Sequence, residues 1–197
     1  MNYDEDSTAR KIPIDSIRHH VPDVVQEQDA TCGASSLLSV CRYFGVGPRY
    51  EPCIVHDMGM NVDEGSDPPE LIRAVKKYGL QYREIKSGMS DVKLRTCLNK
   101  GWPVMLMIQA WGPHIRHYNR RWRFGHWVVA IGFDKQGFYF EDPVIKKYRG
   151  YLTSEELSHR WHDYGVDFKK TKRYGLAIKG KQVCEREDWF GKYQLIE

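Results

Sequence analysis

No stretch of this chain is apolar for long enough to cross a bilayer; its longest apolar runs are strand-sized. The segment from Met1 to Arg18 mixes Asp4, Glu5 and Asp6 with basic residues and has no apolar core of the kind a secretory signal carries. A glycine-rich phosphate loop and a dinucleotide fingerprint are both missing, which removes the common nucleotide-dependent chemistries. The five cysteines, Cys32, Cys41, Cys53, Cys97 and Cys184, are odd in number and scattered, so no disulfide framework is expected. That usage reads as a reduced, cytoplasmic protein with mostly buried thiols, although export without a cleavable signal stays open. Cys53-Ile54-Val55-His56 has a ligand-like spacing, but no second pair follows it, and neither metal nor cofactor is expected. A large charge excess is lacking too: a net charge of +4 keeps the chain soluble without marking a nucleic-acid binder.

What the chain does have is the means to fold. Its 197 residues are 41% hydrophobic and 13% aromatic, enough for one packed domain, expected over 21–180. A polar lead-in covers 1–20, with Ile12-Pro13-Ile14 as an extended edge segment, and a charged tail, 181–197, is expected to be peripheral. Ala34, Leu37, Leu38, Cys41 and Phe44 recur at helical spacing behind Thr31-Cys32, and Gly45-Val46-Gly47-Pro48 stops the pattern. Ser66 or Asp67 caps a second helix whose first turn holds Pro68 and Pro69 and whose end is Gly79. Asp91 to Lys100 reads as a third, with Val92, Leu94 and Leu98 inward.

The pattern then changes to strands. Val104–Ile108 and Trp127–Phe133 are continuous apolar runs, fitting strands covered on both faces. Asp134-Lys135-Gln136-Gly137 is a tight turn into Phe138-Tyr139-Phe140. Thr153 and Glu156 form a capping box ahead of Leu157 and Trp161, and Tyr174 to Ile178 is the last strand. Helices first and strands later predict an α+β domain, an N-terminal helical half packed on a C-terminal antiparallel sheet, with a cleft between them.

Four residues in this layout point to chemistry. Cys32 stands at a helix start, where the helix dipole and free N–H groups favour the thiolate over the thiol. Gly33 beside it leaves room for a carbonyl. His126 follows Gly125 at the mouth of an apolar strand, a setting shared by none of His19, His20, His56, His114, His117, His159 and His162. Imidazole has the acidity a general base needs. Asp142, before Pro143, closes the neighbouring strand, and the hairpin through Lys135-Gln136-Gly137 would set it beside His126 to orient the ring. Glu141 alternates to the opposite face. Gln26 has a side-chain amide that could donate to an oxyanion beside the backbone N–H of Cys32.

This constellation resembles the double-glycine leader peptidase family, papain-like cysteine peptidases that are often fused to bacteriocin-exporting transporters. The resemblance rests on Gln26, Cys32-Gly33, Ala34, Ser35, Gly125-His126 and Asp142-Pro143, and spans about residues 20–178. It implies a papain-like fold, a peptide or protein substrate, and an amide cleaved through a thioester. Cys32 would be the nucleophile, His126 the base, Asp142 the orienting group and Gln26 the oxyanion donor. Thr31 stands where members often carry an acidic residue, and no transporter module accompanies the domain, so a free-standing form is expected.

Two other readings share these residues. Phytochelatin synthases are similar in their Gln, Cys-Gly, His and Asp, and pass the acyl group to an amine instead of water. Alternatively, a catalytically silent binding module would use Trp111–Arg123 and Lys169-Lys170-Thr171-Lys172-Arg173 as contact surfaces. In the enzyme readings, the aromatic and basic 111–123 segment either overhangs the cleft, where it would favour an anionic or carboxylate-bearing substrate, or forms a solvated β-ribbon or loop with snorkelling arginines.

Overall fold

Serines and small residues let the longest helix run through the interior. In the computed structural model, which describes residues 9–112, 118–165, 168–184 and 191–197, helix α1 spans Cys32–Tyr43 and buries every residue except Arg42. Its hydroxyls are satisfied on the spot: Ser35 Oγ donates to the Thr31 carbonyl, Ser36 Oγ to that of Trp127 and Ser39 Oγ to that of Ser36. Gly45, at φ +65°, takes the left-handed conformation that ends it.

Helix α2, Glu51–Met58, has no counterpart in the sequence reading; Pro52 stands in its first turn, where its missing N–H costs no helical bond. It contains Cys53 and His56, both exposed; among the described residues no group of ligating side chains converges on a metal-sized site. Helix α3, Pro68–Lys77, follows its sequence signals closely, with a capping box between Asp67 and Glu70 and Pro68 in the first turn. Helix α4, Asp91–Asn99, buries Leu94, Cys97 and Leu98, but Val92, expected inward, is 73% exposed.

The strands are β1 (Arg10–Lys11), β2 (Ile17–Arg18), β3 (Gln81–Ile85), β4 (Val104–Gln109), β5 (Gly125–Phe133), β6 (Gly137–Glu141), β7 (Arg149–Thr153), β8 (His162–Tyr164), β9 (Lys170–Lys172), β10 (Gly175–Lys179) and β11 (Lys192–Leu195). Helix α5, Ser154–Arg160, follows β7 through the Thr153–Glu156 capping box. One sheet runs β1-β11-β7-β6-β5-β4-β10-β3, with β2 on β5, and β8-β9 form a separate ribbon. Trp127, Val129 and Ile131 of β5 pack with the α1–α3 core. Val128 and Ala130 pack with Leu94 of α4 and Leu157 of α5. Alternating residues of one strand therefore feed two cores, which is why its sequence is apolar without a break.

Two expectations about the sheet need correction. It is not wholly antiparallel: β11 lies parallel to β7, so the sheet of this α+β domain is mixed. Nor is the tail peripheral, since β11 belongs to that sheet and Ile196 is 2% exposed. The charges between Lys179 and Lys192 hide a strand that only a distant partner stabilises. The lead-in also contributes, with Ile17–Arg18 paired to β5 and Ile12 buried.

Glu141 turns away from Asp142, as strand alternation requires, and is buried against Arg149. Its carboxylate accepts the Val24 N–H, while Arg149 donates to the Val21 carbonyl, so the pair holds the chain segment leading to Gln26. Burial pushes the Glu141 carboxyl up to about 8, against the opposing charge of Arg149. An Arg149→Met variant is expected to lose roughly 3–5 kcal/mol in urea unfolding at about pH 9, where Glu141 is ionised beside Arg149, because it strands a buried carboxylate. The loss should shrink as pH falls and Glu141 takes up a proton; a full-sized loss at pH 5 would contradict this account.

Candidate active site

The loop before α1 closes on itself. Thr31 Oγ1 donates to the Gln28 carbonyl and accepts the Gln28 N–H, and it makes no capping bond to the helix. Cys32, at the first position of α1, is 7% exposed. Gly33 is small for a reason other than room for a substrate: a Cβ there would meet Ser66 Oγ at 1.9 Å and Trp127 Cδ1 at 3.1 Å. Trp127 Nε1 donates to the Ser66 carbonyl at 2.9 Å, so the loop before α3 packs directly onto the start of α1.

His126 is the second residue of β5, opposite Ile108 of β4, and Asp142 follows the last residue of β6. The hairpin brings them together: His126 Nε2 lies 2.8 Å from Asp142 Oδ1, with both side chains buried. Cys32 also bears on His126, and with Nε2 taken by Asp142, Nδ1 is the ring nitrogen left for the sulfur. Burial favours the neutral imidazole, yet the charge and hydrogen bond of Asp142, joined by Cys32, outweigh it and lift the His126 pKa to about 10. The site thus favours the charged ring over the neutral one.

Asp142 has two further donors. Its Oδ1 accepts the Val144 N–H at 3.0 Å, and its Oδ2 accepts Trp111 Nε1 at 3.2 Å. The carboxylate is thus fixed from three sides. Trp111 has a positive φ of 59°, and its own N–H donates to the Glu197 carbonyl at 2.6 Å. Sequence reasoning missed it as a member of the site, because nothing around Trp111 distinguishes an indole that reaches a carboxylate from one that merely packs.

Gln26 lies in the same region but is engaged locally. Its Nε2 donates to the carbonyls of Gln28 and Asp29, at 3.0 and 3.1 Å, and its buried Oε1 has no hydrogen-bond partner among the described residues. Its backbone N–H is bound to the Pro143 carbonyl at 2.9 Å, which ties it to the residue after Asp142. Of the competing histidines, His19 binds the Leu98 carbonyl, His162 that of Arg121, and His56 the Asp57 carboxylate. His114 and His117 lie outside the described residues.

Cys32 opens on a cleft of about 590 Å³ whose walls include Trp122, Trp127 and Tyr164. Asp29, Asp63, Glu64, Asp67, Glu70 and Asp163 line it, with Arg123 as a counter-charge. The 111–123 segment does supply a wall, through Trp122 and Arg123, but carboxylates dominate the lining, the reverse of the anionic preference expected from that segment. Residues 113–117 of it are not among those described.

A model of the Peptidase_C39 like family matches residues 18–167. The structure resembles a C39-like peptidase from Bacillus anthracis at 18% identity and a TM-score of 0.62, covering 86% of this chain and 99% of that one. It resembles the peptidase domain of Streptococcus ComA, a bifunctional ABC transporter of a quorum-sensing pathway, at 16% identity and 0.57, covering 82% and 100%. A double-glycine motif protease from an AMS/PCAT transporter, solved in complex with the leader peptide, gives 23% and 0.55, covering 83% and 94%. At such identities these likenesses speak to the fold. No curated protein matches the chain.

Proposed function

Since the chain belongs to the Peptidase_C39 like family, and is thereby a cysteine peptidase-like hydrolase, we propose that it cleaves an amide bond of a peptide through a thioester formed on Cys32. The observation that carries this reading is His126 held between Asp142, at 2.8 Å, and Cys32 at the start of α1. His126, favoured in its charged form and oriented by Asp142, is the acid–base partner that a cysteine nucleophile needs.

The steps follow from that pair. Cys32 Sγ attacks the substrate carbonyl carbon, and the developing oxyanion lies at the uncapped N-terminus of α1. His126 gives its proton to the departing amine as the C–N bond breaks, leaving the acyl group on sulfur. The neutral imidazole then takes a proton from water, the hydroxide attacks the thioester, and Cys32 leaves as the thiolate. Asp142, braced by Trp111 and Val144, keeps the ring in one orientation throughout. A peptide substrate is also what the transporter-derived relative was solved with.

Gln26 is assigned the side-chain oxyanion donor, which requires one of its N–H groups to leave Gln28 or Asp29 when substrate arrives. Gln26→Glu, which removes the donor, is expected to lower kcat by about 10²–10³ with a smaller effect on KM. An unchanged kcat would leave that task to backbone groups alone. The reading as a whole is tested by an alkylating activity-based probe followed by peptide mapping. One adduct on Cys32, absent from Cys32→Ala, is expected; adducts spread over several cysteines would overturn it.

A further inference from the structure

We propose that Asp163 is a specificity-determining residue that receives a lysine or arginine side chain of the substrate in the Cys32 cleft; this rests on the peptidase reading above.

Asp163 comes from the β8-β9 ribbon, a different part of the chain from the residues assigned to the reaction, yet it reaches the same place. Gly125, the residue before His126, lies directly beneath it: a Cβ at 125 would fall 2.0 Å from Asp163 Oδ2. The carboxylate is oriented. Its Oδ1 accepts Gln109 Nε2 at 3.0 Å and the Tyr164 N–H at 2.8 Å. Gln109 is itself fully buried and anchored, since its Oε1 accepts the Phe124 N–H and its Nε2 also reaches the His162 carbonyl. A side chain placed for packing alone does not need a buried amide built to hold it.

Beyond the nearby His126, that carboxylate has little counter-charge. Among the described residues no Lys or Arg forms an ion pair with it. Burial, with Asp67 as a like-charged neighbour, pushes its carboxyl up to about 6, although His126 and its own hydrogen bonds oppose this. Arg123 is the cation on the cleft wall, and Lys170 sits 5.0 Å from the Trp122 ring centroid. Carboxylates still outnumber them around the opening. Trp122 and Tyr164, with ring centroids 5.5 Å apart, flank the position. Aromatic faces beside a fixed carboxylate suit the alkyl stem and cationic head of a basic side chain, which would restore the missing charge.

The test uses a peptide pool made by Glu-specific digestion of a cell lysate, so that Lys and Arg remain internal. Cut sites of the parent protein, mapped by mass spectrometry, should carry Lys or Arg within a few residues of the scissile bond well above the pool frequency. Asp163→Asn keeps an acceptor for Gln109 and Tyr164 and so preserves the local bonds. For a matched peptide pair differing only as Lys or Gln at the enriched position, the kcat/KM ratio should fall about tenfold in that variant, as expected for losing a charge-assisted contact. Asp163→Lys should turn the preference toward acidic peptides. A parent protein that cleaves without basic preference, or a preference that survives in Asp163→Asn, overturns the proposal. A pool left wholly uncut fails the peptidase reading itself, and this proposal with it.

Discussion

Cys32→Ala is expected to abolish peptide cleavage, a loss of about 10⁴-fold or more, while unfolding within about 1 kcal/mol of the parent protein. The asymmetry follows from position. Cys32 is buried at the very start of α1, where trimming one sulfur removes little packing but deletes the nucleophile assigned beside His126. Iodoacetamide at neutral pH adds a second reading on the intact protein. Cys41 sits inside α1, where burial pushes its thiol up to about 12, and burial also raises that of Cys97. Cys32 should therefore alkylate well ahead of both, with rates read by mass spectrometry of tryptic peptides. Equal labelling of the three would mean that no thiolate is held at the cleft, and residual cleavage by the alanine variant would place the nucleophile elsewhere.

Removing the charge of Asp142 should change both the rate and its pH dependence. Against the pull of burial, that charge is the greatest of the influences lifting His126, followed by the hydrogen bond between them. In Asp142→Asn the bond can persist, but the charge cannot, so the imidazolium becomes a stronger acid. Two results are expected together: a fall in kcat/KM of about 10²-fold at neutral pH, and a move of the alkaline limb of the pH profile toward lower pH. The sign follows from linkage. A histidine with a raised folded-state pKa contributes stability that is complete below its ordinary value near 6.5 and fades as pH climbs toward 10. The parent protein should thus keep both activity and this part of its stability into mildly alkaline buffer, and the variant should lose them earlier. An alkaline limb that stays in place would mean that Asp142 steers the ring without charging it.

Much of this site was legible because its signals are local. Asp67-Pro68-Pro69-Glu70 specifies a helix start within four residues, and the structure puts α3 there. The short Asp134–Gly137 turn fixes the β5–β6 pairing, and that pairing alone brings His126 to Asp142. What stayed hidden depends on contacts between distant segments. Lys192–Leu195 looks like any polar tail until β7 offers it an edge to pair with. Asp163 and Trp111 carry no motif; each acquires its place from a partner far along the chain, Gln109 for one and Asp142 for the other. Gly33 shows a subtler gap, for its small size was legible while the cause, the Ser66 loop and Trp127 pressed against it, was not. Gln26 was found by its distance from Cys32 along the chain, which says nothing of the carbonyls that hold its amide.

Trp111 has a consequence for anyone who handles this protein. Its indole props Asp142 while its backbone hangs from the carbonyl of Glu197, just beyond β11, the strand between β1 and β7. The segment at Glu197 therefore works as a tether for the groups that orient His126. A preparation nicked or trimmed there would lose its grip on the imidazole while every side chain assigned to bond breaking remained intact, and its silence in an assay would say nothing about the chemistry.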